Sequence, residues 1–196
     1  MTKRTVKKLT TADLVLLALL AEKPMHGYQA NAELERREIR DWAAISRPQV
    51  YYSLEKLAGL GYLREVRTGG GPAGPEKQTF AVTPAGGAAL ADALEHADWC
   101  TGREKPPFLT WMALSWRARK GVFSRQLDRR QEFLKRELLR ERQTLRGILG
   151  EVGHAHHEAV WMVKLMIRQF ETELAWIAQL KKEMRRRAPA RYPALL

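Results

Sequence analysis

The stretch Ile45 to Leu63, ISRPQVYYSLEKLAGLGYL, sets Val50, Leu54 and Leu57 at helical spacing among polar neighbours. Ser46 can accept a hydrogen bond from the first free backbone N–H groups, Pro48 is tolerated in a first turn, and Gly59 and Gly61 end the run. Opposite the seam the helical wheel collects Gln49, Tyr52 and Lys56, with Arg47 and Tyr51 on the flanks. A helix with such unlike faces must dock its stripe on other elements and leave an amide, two phenols and two cations outward.

The preceding residues supply the dock. Thr10 and Thr11 stand before ADLVLLALLAEKP, with Asp13 in the first turn, so a helix starts near residue 11 and stops before Pro24; it is apolar nearly all round and therefore buried. After the turn PMHG, the segment HGYQANAELERRE gives a second helix with Tyr28, Ala32 and Leu34 facing inward and Glu33, Arg36, Arg37 and Arg40 in water. Beyond Gly61, YLREVR and QTFAVT flank the loop TGGGPAGPEK, the pattern of a hairpin with a long tip. That loop lacks the G-K-[ST] ending of a phosphate cradle and lies between strands, so it is a wing tip. Three short helices and a two-stranded wing make a winged helix-turn-helix, and Thr83-Pro84 opens the helix that follows.

Residues 106–187 are helical in composition. A helix from about Phe123 to Leu149 carries Leu127, Leu134, Leu138, Leu145, Ile148 and Val152 on one seam, interrupted by Gln131 and Glu141, before Gly150 and Gly153 bracket a break. The next helix holds Val160, Val163, Ile167, Phe170, Leu174, Ile177 and Met184, interrupted by Lys181, with a second apolar flank at Trp161, Met166, Trp176 and Leu180. Two or three helices cannot bury a two-sided stripe unaided, whereas a second copy can. The expected fold is mainly α: a winged-helix domain over residues 1–95 and an antiparallel helical dimerisation domain over 96–196, the contact running through Val160, Val163, Ile167, Phe170, Leu174 and Ile177.

The formal charge is +12 in 196 residues, which suits a polyanionic partner. Residues 1–95 hold 13 Lys and Arg against 11 Asp and Glu, while 96–196 hold 21 against 11, so the excess lies mostly in the helical half. In the first half local placement must carry the reading. In a winged helix the third helix enters the major groove of duplex DNA. Gln49 can present donor and acceptor to adenine; Tyr51, Tyr52 and Lys56 can meet phosphates; Arg47 can pair with phosphate or guanine. Lys77 in the wing and the arm Lys3, Arg4, Lys7 and Lys8 would add salt-sensitive affinity. The rival expectation is a winged-helix adaptor that binds protein and no DNA. No catalytic constellation is legible, so an enzyme is not expected.

The chain resembles the PadR-like family of bacterial transcriptional regulators, in its larger subgroup with a long helical C-terminal domain. LTTADLVLLALLAEKPMHGYQ is similar to the family's opening helix and turn, SRPQVYYSLEKLAGLGYL to its recognition helix, and FAVTPAGGAAL to the strand and Thr-x-x-Gly helix start after the wing. The resemblance implies a repressor, dimeric through C-terminal helices, on a pseudo-palindromic operator. It places Tyr51 beside the DNA backbone and Gln49 at a variable polar position, and it implies an effector in some members. Pro48 departs from the small residue frequent there.

Cys100 is the only cysteine, so neither an intramolecular disulfide nor a cysteine zinc site can form; beside Trp99 it is expected as a small buried group. His154 to His157, HAHH, have no supporting third ligand at a useful spacing except Glu151 or Glu158, and are expected at a solvated helix start. No cofactor or metal is anticipated. Trp99, Trp111, Trp116 and Trp161 are candidate walls for a small flat aromatic effector. With neither signal peptide nor membrane-length apolar run, the expected location is the cytoplasm and no membrane partner is expected.

Overall fold

The computed structural model describes residues 9–66, 78–101 and 106–190. Lys3, Arg4, Lys7, Lys8 and Lys77, named above as arm and wing contacts, lie outside them. The chain divides into two units, one within residues 1–103 and one within 104–196.

The first unit is mainly helical around a small sheet. Helix α1 (Thr11–Glu22) begins in a capping box, in which Thr10 Oγ1 accepts from the Asp13 N–H and Asp13 Oδ2 accepts from the Thr10 N–H at 2.7 Å. Leu16, Leu17, Leu19 and Leu20 bury on several sides, as an all-round apolar helix requires. The PMHG turn holds more than a turn: β1 (Met25–His26) pairs antiparallel with β3 (Thr79–Val82), which pairs with β2 (Leu63–Val66), giving a three-stranded order β1-β3-β2. Met25 contributes a fully buried side chain opposite Phe80.

Helix α2 (Gly27–Arg36) is capped by His26, whose Nδ1 accepts from the Gln29 N–H at 3.2 Å. Its buried residues are Gly27, Ala30, Asn31 and Leu34, so the expected inward face is corrected at two positions: Ala32 is exposed and Tyr28 is 71% exposed. A one-turn helix α3 (Ile39–Trp42) intervenes before α4 (Arg47–Gly59). Arg40, expected in water, is half-buried because it holds this corner together, donating to the Ile45 carbonyl and to Asn31 Oδ1 at 2.6 Å. Helix α5 (Pro84–Leu94) is capped by Thr83, and α6 (Asp98–Thr101) closes the unit. Cys100 there is exposed, contrary to expectation, because α6 buries no side chain.

In the second unit α7 (Pro107–Leu114) leads through a 3-10 turn (Ser115–Arg117) to α8 (Val122–Val152) and α9 (Glu158–Glu183), followed by a 3-10 turn (Met184–Arg186). Helix α8 runs through Gly150 and stops at Gly153, which is left-handed at φ 73°. Asp128 pairs with Lys181 and Arg142 with Glu171, so partners recede along one helix as they advance along the other, and the pair is antiparallel. Two polar interruptions of the seams meet each other: Lys181 Nζ donates to Gln131 Oε1 at 2.5 Å. The third, Glu141, is buried beside Arg140.

Three of the six expected contact residues need a correction. Val160, Val163 and Ile177 are buried within the chain itself, and Ile167, Phe170 and Leu174 are half-buried. This seam packs within the unit because α8 runs antiparallel beside α9. Among the described residues of α8 and α9, the exposed large apolar side chains are Trp161, Leu165 and Trp176 on α9 and Phe133 and Leu139 on α8.

Candidate nucleic-acid interface

Helix α4 has the two faces its spacing requires. Its capping box joins Ser46 Oγ to the Gln49 N–H and the Ser46 N–H to Gln49 Oε1 at 2.7 Å, and Pro48 sits in the first turn. Val50, Ser53, Leu54 and Leu57 are buried. Arg47 (side chain 75% exposed), Gln49, Tyr51 (49%) and Tyr52 (68%) stand outward. Gln49 Oε1 is engaged by the cap, so its NH2 is the end left to donate elsewhere.

Lys56 was expected beside them, and the structure corrects this. Its ammonium turns inward to Asp13 Oδ2 at 2.5 Å; the Lys56 side chain is 15% exposed and that of Asp13 fully buried. The cause is Asp13, an acid in the buried helix α1, which requires a counter-charge where water is excluded. Burial would push its carboxyl up. The Lys56 hydrogen bond, the Thr10 N–H and the Ser53 hydroxyl outweigh that and hold it below the ordinary value of 3.8. One carboxylate therefore caps α1 and fastens α4 to it.

Other cations nearby are also occupied. Arg36 and Arg37 bond to Glu33 and hold its carboxyl down to about 2, and Arg37 makes a two-pronged bond to Glu22 at 2.7 and 2.6 Å. Among the described residues Arg47 pairs with Glu35 alone, at 3.5 Å, and that carboxylate is shared with Arg40 at 3.1 Å. Its charge remains available to an anion.

Sequence reasoning missed two features of α2. Tyr28, at the second position of α2, was assigned inward on apolar character, yet its phenol is the most exposed aromatic of the first unit's described residues. A Cβ on Gly27 would lie 2.5 Å from Tyr51 Cε1, so glycine at the start of α2 is what lets the Tyr51 ring lie against that helix. The signal was the pair Gly27-Tyr28 itself, since a glycine opening a helix has low propensity and needs a packing reason.

The four tryptophans stand on different elements, Trp99 in the first unit and the other three in the second. Trp99 lines a cavity of about 890 Å³ in the first unit with Leu9, Thr10, Leu14, Tyr62 and His96. Trp116 lines a different one of similar volume in the second unit, Trp111 stacks between Phe108 and Phe123, and Trp161 lies on the open flank. They sit on separate elements with separate packing partners, which sequence spacing could not foresee. His157 caps α9 through Nδ1, and no cluster of three potential ligands occurs among the described residues.

Residues 16–92, spanning α1 to α5, match the family model described as Transcriptional regulator PadR-like family. Over that stretch the chain is similar to the PadR-like family. That family comprises transcriptional regulators, not enzymes. The whole fold is similar to that of Bacillus subtilis PadR, solved in complex with operator DNA, at a TM-score of 0.73 and 15% identity over 89% of this chain and 97% of the other. It is similar to smu.1604c from Streptococcus mutans UA159 (TM-score 0.68, 18% identity, 89% and 99% covered) and to the Vibrio cholerae virulence activator AphA (0.64, 17%, 91% and 100%). No curated protein sequence gives a significant match. The matched stretch thus includes α4, on which the outward groups stand, and the strands β2 and β3.

Proposed function

We propose that the chain is a sequence-specific DNA-binding transcriptional regulator that acts as a homodimeric repressor on a pseudo-palindromic operator. The observation that carries this reading is α4, buried along Val50, Ser53, Leu54 and Leu57 while Arg47, Gln49, Tyr51 and Tyr52 face solvent. In this reading α4 lies in the major groove. Tyr51, Tyr52 and Arg47 fix it to phosphates and the Gln49 amide reads a base edge. Lys3, Arg4, Lys7, Lys8 and Lys77 add charge around it. A similar fold, that of Bacillus subtilis PadR, has been solved with operator DNA and with p-coumaric acid. By that likeness the present chain takes duplex DNA and responds to a small aromatic effector. No helix among the described residues is long and apolar enough to cross a membrane.

Gel-shift titration with DNA from upstream of the chain's own coding region tests the reading. Tyr52→Phe removes one phosphate donor without altering packing and should weaken binding several-fold on every sequence. Gln49→Glu keeps the cap acceptor but replaces the NH2 with an anion, and should lose at least tenfold on the operator while changing the preferred base. An adaptor would give no shifted band at low salt in any of these forms.

The homodimer rests on the uncovered flank of α9. Trp161, Leu165 and Trp176 share one helical face and are exposed in the single chain, as befits side chains that a second copy covers. Trp161→Glu combined with Trp176→Glu should convert the protein to a monomer in sedimentation while leaving its helical content intact. Operator affinity should then fall at least a hundredfold, since two half-sites no longer bind as a linked pair.

A further inference from the structure

The second unit carries a concentration of positive charge that its own fold does not require. At the start of α8 stand Arg117, Arg119, Lys120, Arg125 and Arg129, all exposed. Contacts bring the end of α9 to the same place: Lys181 reaches Asp128 and Gln131, and Arg187 donates to the Ser115 carbonyl at 3.0 Å and lies 4.1 Å over the Phe123 ring. Lys182, Arg185 and Arg186 therefore join the same end of the helical pair, also exposed. The acids nearby among the described residues are Asp128, held by Lys181, Glu132, and Glu183, held by Gln179.

The helix dipole favours cations at the end of α9. It disfavours them at the start of α8, where the first turn holds no acid. Like charges are thus packed at the positive end of a dipole and beside a second group of like charges. Such an arrangement lowers stability unless a polyanion covers it.

We propose that this end of the helical pair is a second nucleic-acid contact, which grips the phosphate backbone of DNA flanking the site that α4 reads. The inference rests on the DNA-binding reading above and adds a partner surface to it. Charge complementarity selects the occupant. Exposed guanidinium and ammonium groups spread over two elements, without a recognition helix among them, suit a repeating phosphate chain and carry no base preference. An anionic membrane would need an apolar anchor beside the charges, and the cleft here, lined by Leu109, Met112, Trp116 and Leu180, is a concavity.

The full chain is titrated on two duplexes, the shortest operator that binds and the same operator extended by about 20 base pairs of arbitrary sequence on each side. Wild type should bind the longer duplex about tenfold or more tightly at low salt. K182Q/R185Q/R186Q, and separately R117Q/R119Q/K120Q, should remove most of that preference, lower the salt slope on the long duplex by about 2 to 3, and leave the short duplex unaffected. Circular dichroism melting confirms that both variants are folded. Equal affinity for the two duplexes, or a length effect that survives both triple substitutions, overturns the inference while leaving α4 as the operator reader. Failure of wild type to bind either duplex overturns both readings. Capture by phosphatidylserine vesicles that both variants lose, without a length effect on DNA, assigns the patch to a lipid surface instead. A change of oligomeric state in the variants assigns it to a subunit contact.

Discussion

Lys56→Met is expected to destabilise the first unit by about 3 to 5 kcal/mol at pH 7, the cost of leaving a buried charge without its partner. The effect should be asymmetric. Asp13 is fully buried, so removing the lysine strands a carboxylate, whereas in Asp13→Asn the four-carbon stem of Lys56, already 15% exposed, can carry its ammonium to water. The asparagine oxygen also keeps the Thr10 N–H. Asp13→Asn should therefore cost about 1 to 2 kcal/mol, and added to Lys56→Met it should recover most of the loss. In melting curves the single lysine variant should fall by about 10 °C or more and the double variant by much less. Additive losses would show that the two side chains do not act as a pair.

The pH dependence reverses between the two proteins. In wild type the folded-state pKa of Asp13 lies below its ordinary 3.8, so its contribution is fully present above that value and is lost as pH falls through the depressed folded value. In Lys56→Met burial acts with its largest opponent gone, and the folded pKa should rise above the unfolded one. The carboxyl then protonates more readily when folded, and stability should increase as pH falls from 7 towards 4. Salt dependence offers a separate check. An outward Lys56 on phosphate would lower the salt slope by about one unit on removal; an inward Lys56 leaves it unchanged, and any loss of affinity reflects the seat of α4.

The Asp13–Lys56 pair also shows what sequence could carry. Helix α4 was legible because its seam, cap and stop signals are all local, and the antiparallel pair was legible because α8 and α9 each keep a long three-four repeat. Even the interruptions at Gln131 and Lys181 are informative, since polar residues in facing seams have each other as the cheapest partner. Lys56 was misplaced because the wheel fixes only where its Cβ leaves the helix. A long flexible side chain then follows the nearest unmatched charge, which comes from Asp13, 43 residues away in sequence. The clue was present in α1, where an acid within an otherwise apolar buried helix requires a cation. Tyr28 was misassigned for a related reason: its apolar body suggests an inward face, while the backbone direction set by β1 and the His26 cap turns it out. The seam of α9 could not be divided between α8 and a second copy, because periodicity marks an apolar face without naming what covers it.

The Thr-x-x-Gly start of α5 leads to the second large effect. A Cβ on Gly86 would lie 2.2 Å from the Tyr62 carbonyl oxygen, a backbone atom that cannot swing aside. The approach is fixed from several directions: the Thr83 N–H donates to that oxygen at 3.0 Å, Thr83 Oγ1 donates to the Gly61 carbonyl at 2.8 Å, and the Gly86 N–H donates to Thr83 Oγ1 at 3.1 Å. Gly86→Ala must therefore push α5 off the connection between α4 and β2, at a cost of about 2 to 4 kcal/mol, somewhat above ordinary overpacking because backbone rather than side chain must move. Gly87→Ala is the internal control, since a Cβ there meets nothing within 4 Å. That substitution should stabilise by about 0.5 to 1 kcal/mol through the lower entropy of the unfolded chain. Neighbouring glycines in one helix should thus respond to the same substitution with opposite signs in thermal denaturation. Because Thr83 directly follows β3 and grips the turn after α4, Gly86→Ala should also weaken operator binding at temperatures where the protein is still folded, whereas Gly87→Ala should not. A stable Gly86→Ala with full affinity would mean that the recognition helix and wing are not held together through this contact.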